Sequence, residues 1–187
     1  MIITISGLPG SGKSSVAKLL AKRLKMKRYY MGEMRREIAR KRGITLEELN
    51  RLGEKKEWTD KTVDDYQREL GKKEDNFIIE GRTSFFFIPN SIKIFLDVDI
   101  KTGAERIFKV IENEGANQRN EGDFKTIDEA EKAIRERIRS DRKRYKKYYG
   151  IDFLDRSHYD MVIDTTDLKI SQVVEKIIRM IEKRKQK

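Results

Sequence analysis

Cysteine is absent from this sequence and histidine occurs once, at His158. Disulfides, thiolate metal centres and thiol nucleophiles are thereby excluded, and one imidazole is too few for a histidine-built metal site or triad. Only two prolines occur, and no Pro-rich linker, repeat or low-complexity tract interrupts the chain. Long apolar runs are missing too: the longest, among them Phe85 to Pro89, fall far short of the ~20 residues that cross a bilayer. The apolar start Met1 to Ile5 is short and has no basic leader, so neither a signal peptide nor a membrane association is expected, and a cytoplasmic location is. Acidic residues are outnumbered, 32 against 43 Lys plus Arg, for a net charge of +11. That surplus favours phosphate-bearing partners, and any chemistry must rest on Lys, Arg, Asp, Glu, backbone amides and a borrowed ion. The Lys, Glu and Arg content resembles that of thermophilic proteins.

At 187 residues the chain suits one compact domain with small insertions. Five short apolar or β-branched runs, Ile2 to Ser6, Arg28 to Met31, Phe77 to Glu80, Ile92 to Asp97 and Met161 to Asp164, are separated by helical patterns. This alternation predicts a parallel sheet covered by helices. Val16, Leu19, Leu20 and Leu24 sit at helical spacing between the first two runs. From Gly32 to Lys73 only helices are expected: one over about Glu33 to Arg42, one opened by the capping box Thr45 to Glu48, and one from Thr59 to Leu70 that stops at Gly71. Further helices are expected over Lys101 to Glu112, from the capping box Thr126 to Glu129 as far as about Tyr148, and at the C-terminus with Ser171 as cap. The polar, aperiodic stretch Asn113 to Lys125 reads as a flap.

Directly after the first strand stands Gly7-Leu8-Pro9-Gly10-Ser11-Gly12-Lys13-Ser14, followed by Ser15. This is a complete G-x-x-x-x-G-K-S between a strand and a helix, the context that a phosphate-binding loop requires. Its glycines let successive amides point at one oxyanion, the helix start adds free N–H groups, Lys13 reaches the outer phosphates, and Ser14 can hold Mg²⁺ directly. The N-K-x-D motif by which a GTPase reads its base is absent, and a motor ATPase usually needs a longer chain. Asp97, at the end of the fourth strand, could act on Mg²⁺ through water or serve only as a hydrogen-bonded strand end.

Transfer between two phosphates needs both neutralised and held in line, so a small kinase should place arginines in its site. Arg36 follows the second strand, Arg82 the third, and Arg106 lies on the helix after the fourth. On the long late helix Arg137, Asp141 and Arg144 share one face, where the carboxylate can orient both guanidiniums. Spacing alone favours a solvated charge ladder there.

These features together resemble the nucleoside monophosphate kinases, most closely the archaeal-type cytidylate kinases. The likeness spans nearly the whole chain: the loop GLPGSGKS, the Gly32 to Arg36 turn, RGITLEEL (Arg42 to Leu49), QREL (Gln67 to Leu70), IIEGR (Ile78 to Arg82), KIFLDV (Lys93 to Val98), RSDRKRYKKYYGID (Arg139 to Asp152) and YDMVIDTT (Tyr159 to Thr166). It implies an α/β P-loop fold with a five-stranded parallel sheet of order 2-3-1-4-5. The core would be about residues 1–31, 74–112 and 127–187, the monophosphate-binding insert about 32–73, and the short lid about 113–126. ATP with Mg²⁺ would be co-substrate and CMP or dCMP the acceptor of a monomeric enzyme. By the same resemblance, Arg36 and Arg82 grip the acceptor phosphate, Arg137 and Asp141 face acceptor phosphate and ribose, and Arg106 and Arg144 neutralise the transferring group. Asp60, Asp64 and Gln67, on the insert helix expected to face the base, have the acid and amide that cytosine's polar edge needs. Trp58 and Tyr66 could stack on the base but read rather as core or helix contacts, Tyr145, Tyr148 and Tyr149 as packing behind the long helix, and His158 as a surface residue.

Three departures stand out. Thr83 and the run Phe85 to Phe87 follow Gly81-Arg82 where bacterial cytidylate kinases have Asp, the flap is longer than the archaeal form, and Glu80 replaces a bacterial Asp. AMP, UMP or a small non-nucleotide acceptor remain alternatives. An RNA- or ribosome-associated role would draw on the basic runs Lys22 to Arg28, Arg139 to Lys147 and Arg179 to Lys187. Those runs lack interleaved aromatics except near Tyr145, which argues against a specific nucleic-acid partner.

Overall fold

The computed structural model describes residues 1–114 and 124–186. Five strands, β1 (Ile2–Gly7), β2 (Lys27–Tyr30), β3 (Phe77–Glu80), β4 (Ile92–Asp97) and β5 (Met161–Asp164), form one parallel sheet in the order β2-β3-β1-β4-β5 that the family resemblance implies. Eight helices accompany them among the described residues: α1 (Lys13–Leu24), α2 (Met31–Lys41), α3 (Leu46–Gly53), α4 (Trp58–Lys73), α5 (Ser84–Phe87), α6 (Ile100–Glu114), α7 (Ile127–Tyr149) and α8 (Ile170–Lys185).

Side-chain alternation along the central strand divides the molecule. Ile3 and Ile5 point to a core completed by Val16, Leu20, Val173, Val174 and Ile177 of α1 and α8. Thr4 and Ser6 point the other way, where Thr4 meets Ser91 (Oγ1 to Oγ 3.0 Å) and Ser6 Oγ donates to the Arg82 carbonyl at 3.3 Å. On that second face Phe77 and Ile79 pack with Met31, Val63 and Leu70 of α2 and α4, while Phe95 packs with Phe85, Tyr145 and Phe153. A separate seam of Ala104, Ile107, Ile111, Ala130 and Ile134 joins α6 to α7.

Several element ends differ from the sequence expectation. Met31 opens α2 instead of closing β2. Gly71 does not stop α4, which runs on to Lys73; a Cβ there would lie 3.0 Å from Ile88 Cγ1, so the glycine serves close packing. The C-terminal helix is capped at Lys169, whose N–H donates to Gln172 Oε1 at 2.8 Å, and not at Ser171. Phe85 to Phe87 form the unanticipated turn of helix α5, with Phe85 and Phe87 buried. His158 lies in a 3₁₀ turn with its ring 5.2 Å from that of Phe85, half-buried. Most of the expected lid, residues 115–123, lies outside the described residues. No helix among the described residues is long and apolar enough to cross a membrane.

Candidate active site

The C-terminal ends of the parallel strands open onto one cleft of about 400 Å³, where ligands bind doubly wound sheets. Pro9, Gly10, Gly12, Lys13, Ser14 and Ser15 form one wall, with Leu8 and Ser11 buried behind it. Gly7 leaves β1 at φ +145°, and a Cβ there would meet the Leu96 carbonyl oxygen at 2.1 Å. Gly10, at φ +77°, passes so close to α6 that its Cβ would lie 2.3 Å from the Gly103 carbonyl oxygen. Both positions therefore demand glycine on sterics as well as on φ. Gly12 caps α1 without any side chain covering the first-turn amides, which leaves an anion-binding helix start beside Lys13. Lys13 Nζ folds back onto the Leu8 carbonyl at 2.5 Å and Ser11 Oγ at 3.4 Å.

The carboxylate nearest Ser14 is Glu80. Ser14 Oγ donates to Glu80 Oε2 at 2.7 Å, while Arg28 Nε holds Glu80 Oε1 at 2.7 Å; Glu80 is itself buried. Asp97 points elsewhere, pairing with Arg156 at 2.5 Å and accepting the Val98 N–H at 3.0 Å. The structure thus brings Glu80, and not Asp97, to the Ser14 hydroxyl. Arg106 binds three backbone carbonyls, those of Gly10 (3.3 Å), Thr165 (2.9 Å) and Thr166 (2.8 Å), tying the loop to the segment after β5.

Across the cleft stand Arg35, Arg36, Arg82 and Arg137. Arg36 is buried, with Nη1 donating to the Tyr30 hydroxyl at 2.6 Å. Arg82 Nε is 3.0 Å from Asp141 Oδ2. Asp141 also pairs with Arg144 Nη2, whose Nη1 is 2.6 Å from both oxygens of Asp60; Asp60 in turn pairs with Arg35. The result is a buried row of alternating charge, Arg35–Asp60–Arg144–Asp141–Arg82, linking α2 and α4 to α7 and the end of β3. Gly53 makes room for it, since a Cβ there would lie 2.8 Å from Arg144 Cδ.

Two expectations change as a result. Arg144, fully enclosed, is spent on Asp60 and Asp141 and does not line the cleft. Asp60 has both oxygens committed to Arg144 and so is a structural partner instead of an open reader of a base. Arg35, passed over in favour of its neighbour Arg36, joins the cleft wall and also donates to Asn50 Oδ1 at 2.9 Å. Sequence offers little to separate two adjacent arginines, because the deciding partner, Asp60, is 25 positions away.

The electrostatics follow from burial. Desolvation alone would raise the Asp141 carboxyl, but Arg82, Arg144 and Arg137 outweigh it and hold the group below its ordinary value. Burial works against the Arg144 guanidinium, yet Tyr145, Asp141 and Asp60 leave it raised. Arg82 is lowered, chiefly by burial, with Arg137 and Arg144 adding like-charge repulsion against the pull of Asp141. Seven cations, Lys13, Arg35, Arg36, Arg82, Arg106, Arg137 and Lys169, face three carboxylates in the cleft lining. Such a cleft is built for a polyanion.

At the α4 side the lining turns from arginine to a compact polar group. Gln67 Nε2 is 3.3 Å from Asp64 Oδ1 and 3.4 Å from Thr83 Oγ1, and Gln67 Oε1 accepts from Ser84 Oγ at 2.6 Å. Tyr149 donates its hydroxyl to Asp64 Oδ2, and Tyr145 lines the cleft, so neither tyrosine is only packing. Trp58, by contrast, packs with Ala39, Leu46 and Leu49 under the Arg42 guanidinium.

Comparison with known proteins gives the site its context. The cytidylate kinase-like family profile matches residues 2–167. The chain is 35% identical to the cytidylate kinase of Archaeoglobus fulgidus over 186 residues, covering 99% of this chain and 97% of that one. It is 39% identical to the cytidylate kinase of Methanocella arvoryzae over 186 residues, 98% and 99% of the two chains, and 40% identical to that of Pyrococcus furiosus over 167 residues, 89% and 80%. Among solved structures, an uncharacterized protein from Eubacterium ventriosum superposes with a TM-score of 0.69 at 22% identity (97% and 98% of the chains). Shikimate kinase from Acinetobacter baumannii superposes at 0.63 with 19% identity (100% and 95%), a likeness of fold.

Proposed function

The chain belongs to the cytidylate kinase-like family, and from that premise we propose that it transfers the γ-phosphate of ATP to CMP or dCMP, giving ADP and the diphosphate. One observation carries the reading: a complete phosphate-binding loop faces an arginine-lined wall across a single cleft. The loop amides, the α1 start and Lys13 take the donor phosphates, with Lys13 Nζ exchanging the Leu8 carbonyl for a phosphate oxygen. Arg36 and Arg82 hold the acceptor phosphate, joined by Arg35 and Arg137. Asp141 acts as a positioning residue for Arg82, and Arg144 holds Asp141 and Asp60 in turn. Arg106 fixes the outer curve of the loop through its three carbonyl contacts.

The Ser14 hydroxyl and the Glu80 carboxylate behind it are both oxygen ligands, of the kind that suits a hard cation completing its shell with water and phosphate. Ser14 would hold Mg²⁺, which when bound offsets phosphate charge. The reaction then needs no general base of its own strength, because alignment and charge neutralisation supply most of the acceleration. A coupled assay of ADP formation with ATP and each of CMP, dCMP, UMP and AMP tests the proposal. Turnover with CMP or dCMP well above the other two is expected; turnover with none of them refutes it.

A further inference from the structure

We propose that Asp64 and Gln67 are the specificity-determining pair for the acceptor base, Asp64 accepting a hydrogen from the cytosine amino group and Gln67 Nε2 donating to the ring nitrogen beside it. This rests on the cytidylate-directed reading above and deepens it. Both side chains line the cleft, yet both are more than nine-tenths buried, so whatever they meet there must satisfy their polar groups.

Their orientation is fixed from behind. A carboxylate only accepts hydrogen bonds, so the Gln67 amide must turn its nitrogen to Asp64 and its oxygen away, and Ser84 Oγ donates to that oxygen at 2.6 Å. Tyr149 from α7 donates to the far oxygen of Asp64. The pair therefore presents an acceptor next to a donor. Cytosine offers the complement, an amino donor next to a ring-nitrogen acceptor, whereas uracil offers the reverse, a carbonyl next to an N–H. Gln67 Nε2 can supply a hydrogen to the base because its present contacts, 3.3 and 3.4 Å, are long. Adenine shares the amino edge of cytosine, so the pair selects amino over oxo bases and leaves ring size to the rest of the cleft.

The protonation state of Asp64 sharpens the consequence. Burial raises its carboxyl to about 7; the Tyr149 hydrogen bond opposes this, the neighbouring Asp60 adds to it, and Arg35 and Arg68 oppose it. Once protonated, Asp64 can donate to the uracil carbonyl, which removes one of the two mismatches and leaves that between Gln67 Nε2 and the uracil ring N–H. Discrimination against UMP should accordingly weaken as pH falls through neutrality.

The test measures kcat/KM for CMP and UMP at fixed saturating ATP in wild type, Asp64→Asn and Tyr149→Phe. Asn in place of Asp64 brings an amide N–H that can donate to the uracil carbonyl, and a rise in the UMP-to-CMP ratio of at least about tenfold is expected. In wild type the same ratio should rise as pH is lowered through about 7, and Tyr149→Phe, which removes the bond that holds the carboxyl down, should move that rise to higher pH. The wild-type profile needs no variant to fold. If wild type turns over CMP but the ratio is flat with pH and unmoved by Asp64→Asn, the base-reading pair is wrong while the kinase reading stands. If wild type fails with CMP altogether, the kinase reading itself has failed.

Discussion

Replacing Arg144 by Met removes the centre of the buried charge row while keeping much of its aliphatic volume. Asp60 and Asp141 would then each keep one guanidinium, Arg35 and Arg82 respectively, and lose the one they share. Breaking a buried ion pair from one side typically costs about 3–5 kcal/mol, and the residual partners place this case toward the lower end. For a chain of this size each kcal/mol shifts Tm by about 2–4 °C, so thermal unfolding followed by circular dichroism at pH 7 should show a loss of about 6–12 °C. The deficit should narrow in acid. Asp141 in the wild type is held below its ordinary value, so its contribution is present above the unfolded carboxylate range and is lost as pH falls through the depressed folded value; the variant, whose Asp141 has lost one of its guanidiniums and protonates more readily, has less to lose. Arg142→Ala is the control. Its pair with Asp152 is half exposed and should be worth about 0–1 kcal/mol. An Arg144→Met protein with unchanged Tm but kcat reduced a hundredfold would refute the reasoning and return Arg144 to the transferring phosphate.

Three further outcomes follow from the geometry. Lys13→Ala should leave the circular dichroism spectrum and Tm nearly unchanged and lower kcat by about 10²-fold or more, since it removes a cation that tracks the moving charge. Gly53→Ala should lower Tm although alanine is the better helix former: its Cβ would press on Thr59 Oγ1 at 2.7 Å and on Arg144 Cδ at 2.8 Å, an overpacking cost of about 1–3 kcal/mol against a propensity gain of about 1. Asp64→Asn should gain Tm relative to wild type as pH rises from 4 to 8. A carboxyl raised to about 7 binds its proton more tightly folded than unfolded, so its contribution is greatest below the unfolded value and is lost as pH rises through the folded one.

What the sequence made legible was local. The phosphate-binding loop is contiguous, and its meaning lies in adjacent glycines, a lysine and a serine. The Thr45 to Glu48 capping box is equally local and forms reciprocally, with Glu48 N–H donating to Thr45 Oγ1 at 3.1 Å and Thr45 N–H to Glu48 Oε2 at 2.7 Å. At Thr126 only half the pattern holds: Glu129 N–H reaches Thr126 Oγ1, but the Glu129 carboxylate turns to the Lys125 N–H. Gly71 misled because glycine marks both helix ends and close contacts, and the neighbour that decides, Ile88, is far along the chain. The site residues divide the same way. Helical spacing correctly put Asp141 and Arg144 on one face, but their other partners, Asp60 and Arg82, lie 84 and 59 positions away. No periodicity reports a carboxylate arriving from another helix: spacing alone favoured a solvated charge ladder, the family resemblance put Arg144 at the transferring group, and the structure encloses it between Asp60 and Asp141.

The alternating row begins and ends on a cation. Its inner members are each flanked by opposite charge on both sides, whereas Arg35 and Arg82 have a charged neighbour in the row on one side only, and both line the cleft. With three positive and two negative members the row carries a surplus of one, concentrated at its two open ends. On the proposed reading a phosphate arriving in the cleft would be the next term of the series, with α2, α4 and α7 already joined behind it. The desolvation of the three enclosed members, Asp60, Arg144 and Asp141, is met in folding, and the two end guanidiniums are already fixed at the cleft wall instead of moving free in solvent.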